Sequence, residues 1–365
     1  MKKLRVGLIG AGLVGQAEHA FYLWEERDRF WFSALADASP SVRTEVAARY
    51  GVAEVHASMK ELLTSRLDAV VVAAPDAFHP ELAIAALEAG VHVLCEKPLA
   101  LTEDDCDRII AARDRTGVIA QVAYMKRYDP AFRQACEYLP RDAAGIKLIS
   151  VEVNDPDQHP FVAHLPMHAG NDIPADLRIE SRDKTASQLR RAAGRELDEA
   201  GARALGGGFL SSLVHDVAVA RGLLRRVGHD LGAEADFGAY FDAGRGVQLG
   251  LTLPWGGRVS MTHLNLPGVP DYTERITVYC TDRIIELVFP SPYLRHLPTR
   301  LTIRRSAGGH SLETIEFRAS YEEAFRDELR AFHLAVTEGA AVETPLEEGR
   351  RDVELLISAF RRAAA

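Results

Sequence analysis

The first third of the chain alternates short apolar runs with amphipathic stretches. Residues 4–9 form a strand-like run that ends in glycine, and 13–27 carry a helical pattern. Residues 31–36 form a second strand, 40–50 a helix, and 67–74 a further apolar run. That run, Leu-Asp-Ala-Val-Val-Val-Ala-Ala, shows no polar alternation after its aspartate, which suits a parallel strand buried on both faces. Residues 80–89 read as a helix closed by Gly90, a natural left-handed stop. A strand at 91–95 follows. Thr102 then caps a helix whose first turn sets Glu103, Asp104 and Asp105 against the positive end of the helix dipole. Residues 118–124 are the next strand. This β-α-β-α order predicts a doubly wound parallel sheet.

After Asp129-Pro130, an N-cap followed by a helix-opening proline, the pattern changes. Residues 147–153 read as a strand, 154–174 as a polar stretch rich in His, Pro and Asp, and 177–204 as one charged helix. Gly206-Gly207-Gly208 introduces an apolar helix at 209–224. From 235 to 317 short strands follow one another with turns, as in an antiparallel sheet. Helices at 321–338 and 346–364 close the chain. The expected fold class is α/β: an N-terminal Rossmann domain with a doubly wound parallel sheet over 1–125, then a C-terminal α/β domain with an open, mainly antiparallel sheet over 126–365. The second domain is expected to bind substrate and to oligomerise, and its last helices to pack back on the first domain.

Composition narrows the class of partner. With 365 residues and 47% apolar content, the chain can build two cores. The formal charge of −9 argues against a nucleic-acid partner. The four cysteines, Cys95, Cys106, Cys136 and Cys280, include no C-x-x-C pair and read as buried thiols in a reducing compartment. Met1-Lys2-Lys3 before an apolar run mimics a secretory leader, but Arg5 and three glycines interrupt it. No stretch approaches the roughly 18 apolar residues of a membrane span. The expectation is a soluble, cytoplasmic protein with no membrane partner.

Two motifs carry chemistry. Gly10-Ala11-Gly12-Leu13-Val14-Gly15 is a G-x-G-x-x-G fingerprint that follows a strand and opens a helix, the context in which it binds a dinucleotide. Gly10 permits the turn, Gly12 leaves room for the pyrophosphate, and Gly15 lets helix and strand approach. Asp37 follows the second strand at the distance expected of a ribose-binding carboxylate. Its charge repels a 2′-phosphate and favours NAD, while Arg43 leaves NADP open. The second motif is Val-Leu-Cys-Glu-Lys-Pro at 93–98. It puts Lys97 at the C-terminal end of a strand, where ligands bind in open α/β sheets. There an ammonium can stabilise alkoxide character on a reacting oxygen.

The segment from Ala-Ala-Pro-Asp-Ala-Phe-His-Pro-Glu at 73–81 to Glu-Lys-Pro-Leu-Ala-Leu-Thr at 96–102 resembles the signature of the Gfo/Idh/MocA oxidoreductases, the relatives of glucose–fructose oxidoreductase and inositol dehydrogenase. The resemblance implies NAD(P)-dependent oxidation or reduction of a sugar-like secondary alcohol. It implies that Pro75 and His79 line the dinucleotide, that Glu96 lies near the nicotinamide ribose, and that Lys97 is catalytic. In that family the helix after the glycines carries an aspartate and, four residues on, a histidine that serves as general base. Here His215 is kept and Ser211 stands at the aspartate position, so the site lacks that negative charge. Ala218 replaces a later aspartate of the same helix. Asp216 adjoins His215 in sequence and points away from it on a helix. The family also contains glycosidases that use NAD transiently and regulators that bind NAD without chemistry, and both are alternatives.

Arg127, after the strand at 118–124, is a candidate for a substrate oxygen or for an ion pair with Asp129. His159, His164, His168, Asp155, Asp157 and Asp172 match no standard zinc spacing, so no metal is expected there. Their stretch reads as a lid or a subunit contact. By analogy with the family, the chain is expected to form a homodimer or homotetramer.

Overall fold

The structure is a computed structural model describing residues 2–363. The chain divides into two compact units. One comprises residues 1–124, 162–192 and 325–350, and the other 125–161, 193–324 and 351–365. A simple cut at 125/126 therefore separates the two sheets, but two later segments return to the first unit.

The first unit is built on six parallel strands: β1 (Leu4–Ile9), β2 (Phe30–Ala36), β3 (Glu54–His56), β4 (Ala69–Val72), β5 (His92–Glu96) and β6 (Ala120–Ala123). Their order is β3-β2-β1-β4-β5-β6. The chain thus winds outward from β1 in both directions, and the crevice between β1 and β4 is the switch point where such sheets bind ligands. Every side chain of β4 is fully buried, as the unbroken apolar run requires. Thr102 caps the helix Glu103–Thr116 by accepting from the Asp105 amide, and Ser39 caps Pro40–Tyr50 through the Val42 amide.

Three helices depart from expectation. The stretch at 13–27 begins as a π-helical segment, Gly15–Ala20, and continues as Phe21–Glu25. The charged helix at 177–204 is two helices, Ala175–Ala193 and Glu199–Arg203. Gly194, at φ +72°, ends the first, and Asp198 caps the second. The helix at 209–224 is likewise split into a π-helical segment, Ala204–Leu213, and the α-helix Val214–Arg226. The last helix, expected over 346–364, is described as Leu346–Ala363, and position 364 lies outside the described residues.

The second unit carries eight strands: β7 (Ile146–Asn154), β8 (Phe237–Phe241), β9 (Gly246–Thr252), β10 (Arg258–Leu264), β11 (Thr273–Cys280), β12 (Arg283–Phe289), β13 (Arg300–Gly308) and β14 (Ser311–Arg318). Their order is β14-β13-β12-β11-β7-β10-β9-β8. Only the β7–β10 pair is parallel; the others are antiparallel. Ile149, Val151 and Val153 of β7 alternate with more exposed neighbours, and Val259, Met261 and His263 of β10 do the same. One face of the sheet is therefore a core face. The segment Ala204–Leu213 lies against it. A Cβ at Gly208 would fall 2.6 Å from a Val247 methyl, which explains one glycine of the triple-glycine run.

Candidate functional site

In the first unit the glycine turn is closed below and open above. Gly10 sits at φ +88°, and a Cβ there would overlap the Ala73 carbonyl. A Cβ on Gly15 would overlap the Gly10 carbonyl. Gly12 is exposed, and its Cβ would meet nothing within 4 Å. The turn is thus pressed onto the sheet through Gly10 and Gly15, while Gly12 leaves an unobstructed approach. A pyrophosphate fits there, at the opening of a helix. Ala11 is buried, and Leu13 and Val14 are half-buried beside it. Asp37, just past β2, accepts from the Ala11 amide through Oδ2 at 2.7 Å and from the Ser39 amide through Oδ1 at 2.8 Å. Its carboxylate is fixed beside the glycine turn. Arg43 donates to the Asp37 carbonyl at 2.5 Å.

Pro75 is exposed after β4. His79 is fully buried, and its two ring nitrogens lie 2.8 Å from the Pro98 carbonyl and 2.9 Å from the Ala74 carbonyl. It ties the loop after β4 to the loop after β5. Lys97 stands half-buried at the end of β5, and its peptide bond to Pro98 is cis.

Glu96 points inward. Its Oε1 lies 2.7 Å from the His19 Nε2, and its Oε2 accepts from the Lys97 amide at 3.0 Å. Burial pushes its pKa up, but the His19 hydrogen bond, the His19 charge and the Lys97 charge outweigh burial and hold the carboxyl below its usual range. Glu328, on the helix Ala324–Glu338, is fully buried, and neither carboxyl oxygen has a hydrogen-bond partner among the described residues. Burial and then the Glu96 charge push its pKa well up, which favours the neutral carboxyl. Sequence reasoning missed both His19 and Glu328. Neither has a local signal, since His19 meets Glu96, and Glu328 feels its charge, only through the fold.

In the second unit His215 occupies the first turn of Val214–Arg226, and Ser211 lies on the preceding segment. The Ser212 hydroxyl, one turn before His215, lies 2.9 Å from Nδ1 of His263 on β10. Burial lowers the His263 pKa to about 4, so its imidazole is neutral. Asp216 is buried beside Glu274 of β11. Burial first and then the Glu274 charge raise its pKa well above the carboxylate range, against the opposing charge of Lys126. Lys126 donates to Glu274 at 2.5 Å, and the Tyr272 hydroxyl donates to the same oxygen. Arg127 is buried, donates to the Ala218 carbonyl at 3.2 Å, and fills the space a side chain at Gly222 would take. Lys126 adjoined the candidate Arg127 in sequence, but nothing local marked Glu274 as its partner.

Residues 4–124 match the family model described as an oxidoreductase family with an NAD-binding Rossmann fold. An inositol 2-dehydrogenase/D-chiro-inositol 3-dehydrogenase of Shouchella clausii is 38% identical over 149 residues, which are 40% of this chain and 43% of that protein. The match thus spans less than half the length of the curated relative. Likeness to solved structures runs over the whole chain. The myo-inositol 2-dehydrogenase of Lactobacillus plantarum superposes with a TM-score of 0.73 at 21% identity, covering 100% of this chain and 98% of that one. A levoglucosan dehydrogenase in complex with NADH and levoglucosan superposes at 0.74 with 19% identity, covering 100% and 97%. At these identities the likeness establishes the fold, with its parallel Rossmann sheet and mainly antiparallel second sheet. Among the described residues no helix is long and apolar enough to cross a membrane. Over residues 4–124 this chain is thus similar to the NAD-binding Rossmann domain of the Gfo/Idh/MocA oxidoreductases.

Proposed function

We propose that this chain is an NAD-dependent oxidoreductase acting on a secondary alcohol or ketone of a sugar, inositol or related polyol. The observation that carries the reading lies at one edge of the first sheet. The open glycine turn follows β1, and Lys97 directly follows β5 of the same parallel sheet. The activities named for the relatives, on inositols and levoglucosan, support the substrate class.

In this reading the turn from Gly10 to Gly15 takes the pyrophosphate. Asp37 keeps lone pairs for the ribose hydroxyls beyond the two its backbone donors use. Pro75 lines the dinucleotide, and His79 holds the two loops beside it. Glu96, which accepts from the Lys97 amide, would hold that backbone near the nicotinamide ribose. Bound nicotinamide supplies the hydride acceptor or donor. Lys97 donates a hydrogen bond to the reacting oxygen, and His215 takes or returns its proton. Ser211 and Arg127 serve substrate orientation. The protein is a cytoplasmic homodimer or homotetramer.

The test is a screen of sugars, inositols and glycosides with NAD and with NADP, following absorbance of the reduced cofactor. Turnover of a polyol or sugar is expected, with Lys97→Ala and His215→Ala each lowering kcat/KM by roughly 10²–10⁴-fold. Glycoside cleavage without net reduced cofactor would replace the dehydrogenase by a glycosidase. Binding without turnover of any kind would make the chain a regulator.

A further inference from the structure

The segment 162–192 belongs to the first unit, and its opening stretch is fastened beside the glycine turn. The Gln16 side chain, next after Gly15 and buried, donates to the His168 carbonyl at 3.0 Å and accepts from the His168 amide at 3.0 Å. The Gln16 side-chain nitrogen also donates to the Ala11 carbonyl at 2.7 Å. Two residues past His168, Gly170 lies so close to the 39–42 turn that a Cβ would fall 2.8 Å from the Ser39 hydroxyl and 2.9 Å from a Val42 methyl. Two residues further on, the Asp172 carboxylate accepts from the Ser39 hydroxyl, from the Ser41 amide at 2.8 Å and from the Ser41 hydroxyl at 2.9 Å. The Ser39 hydroxyl first, then the Ser41 amide and hydroxyl, lower its pKa to about 2. The strap is thus fixed at three points, and the last is an anion.

Ser39 and Ser41 follow Asp37, the carboxylate assigned above to the adenosine ribose. A 2′-phosphate on that ribose needs donors near the acidic residue, as a nearby Arg provides, and the Ser39 hydroxyl and the Ser41 amide and hydroxyl are such donors here. In this chain those donors are already satisfied by a charge from a different segment. We propose that Asp172 is a specificity-determining residue of the dinucleotide site, occupying the donors a 2′-phosphate would require and so selecting the 2′-hydroxyl cofactor. The inference rests on the nucleotide site under the proposed function. It adds a discriminator that the sequence neighbourhood of Asp37 does not contain.

The test is calorimetric titration of the whole chain with NAD and with NADP, for wild type, Asp172→Ala, Asp172→Asn and Asp37→Ser. Asp172 is exposed, so its variants are expected to fold. Asp172→Ala is expected to tighten NADP binding by about tenfold or more while NAD affinity changes less than about threefold, as freed donors and Arg43 meet the phosphate. Asp172→Asn is expected to move the ratio the same way by less. A ratio unchanged in Asp172→Ala, with Asp37→Ser alone moving it, would overturn the inference and leave the cofactor site standing. Equal loss of both nucleotides in Asp172→Ala would also overturn it, making the strap merely structural. Wild type binding neither nucleotide would overturn the proposed function itself.

Discussion

The His19 imidazole and the Glu96 carboxylate meet 2.7 Å apart in the interior of the first unit, one residue before Lys97. Breaking a buried pair leaves the surviving group without its partner, at a cost of roughly 3–5 kcal/mol. Glu96→Gln keeps the shape and one acceptor, so about 3 kcal/mol is expected, read by urea unfolding at pH 7. The sign with pH follows from the direction of the shift. The folded pKa of Glu96 is depressed. Its contribution is complete above the ordinary carboxylate range and is lost as pH falls through the folded value. Glu96→Gln should lack that acid-side loss. A cost under about 1 kcal/mol would mean the pair does not hold the strand end.

Glu328 behaves in the opposite sense. Its folded pKa is raised, so its contribution is complete below the ordinary carboxylate range and is lost as pH rises toward the folded value. Glu328→Gln, neutral and isosteric, should unfold at higher urea than wild type at pH 8 and lose that advantage near pH 4. Equal midpoints at both pH values would show that Glu328 is not held neutral.

Two glycines of one turn should fail differently. Gly10→Ala puts a side chain at φ +88° against the Ala73 carbonyl. Such backbone strain costs about 1–3 kcal/mol before any clash is counted. Gly12→Ala meets no protein atom within 4 Å, so the thermal midpoint should stay put. In the proposed site its methyl stands where the pyrophosphate approaches, so NAD affinity should fall at least about tenfold. A Gly12→Ala protein that binds NAD normally would place the phosphates elsewhere.

Much of this was legible in the chain itself. The apolar run of β4, the Thr102 cap and the glycine turn are local signals, and the fold follows them. What was hidden is what only tertiary contact creates. β3 is three residues at a sheet edge, too short and too polar to carry a pattern. Gly194 interrupts a charged helix whose composition runs on unchanged. Glu328 and Glu274 look like ordinary surface acids, because the fold alone buries them and brings them to Glu96 and Lys126, far off in sequence. The strap carrying Asp172 reads as a polar loop until Ser39 and Ser41 are seen beneath it.

His263 should make the second unit acid-sensitive. Burial lowers its pKa to about 4, while the unfolded chain protonates near the ordinary value of about 6.5. The unfolded state therefore binds the extra proton first. Stability is complete above pH 6.5 and declines as pH falls toward 4, by up to about 3 kcal/mol. His263→Gln should flatten that decline and leave stability at pH 7 within about 1–2 kcal/mol, since one hydrogen bond to Ser212 changes partner. An unaltered acid limb would assign the decline to other groups.

The cluster of Lys126, Glu274, Asp216 and Tyr272 holds two acids beside one ammonium, and the raised pKa of Asp216 makes it the neutral one. Asp216→Asn swaps a protonated carboxyl for an amide of the same shape and should cost less than about 1 kcal/mol at pH 7. Lys126→Met removes the counter-charge of a buried carboxylate and should cost roughly 3–5 kcal/mol. Adding Glu274→Gln to Lys126→Met should recover much of that loss, because the stranded charge goes with it. A double-mutant cycle by urea unfolding measures the coupling. If Asp216→Asn proves as damaging as Lys126→Met, Asp216 is not held neutral.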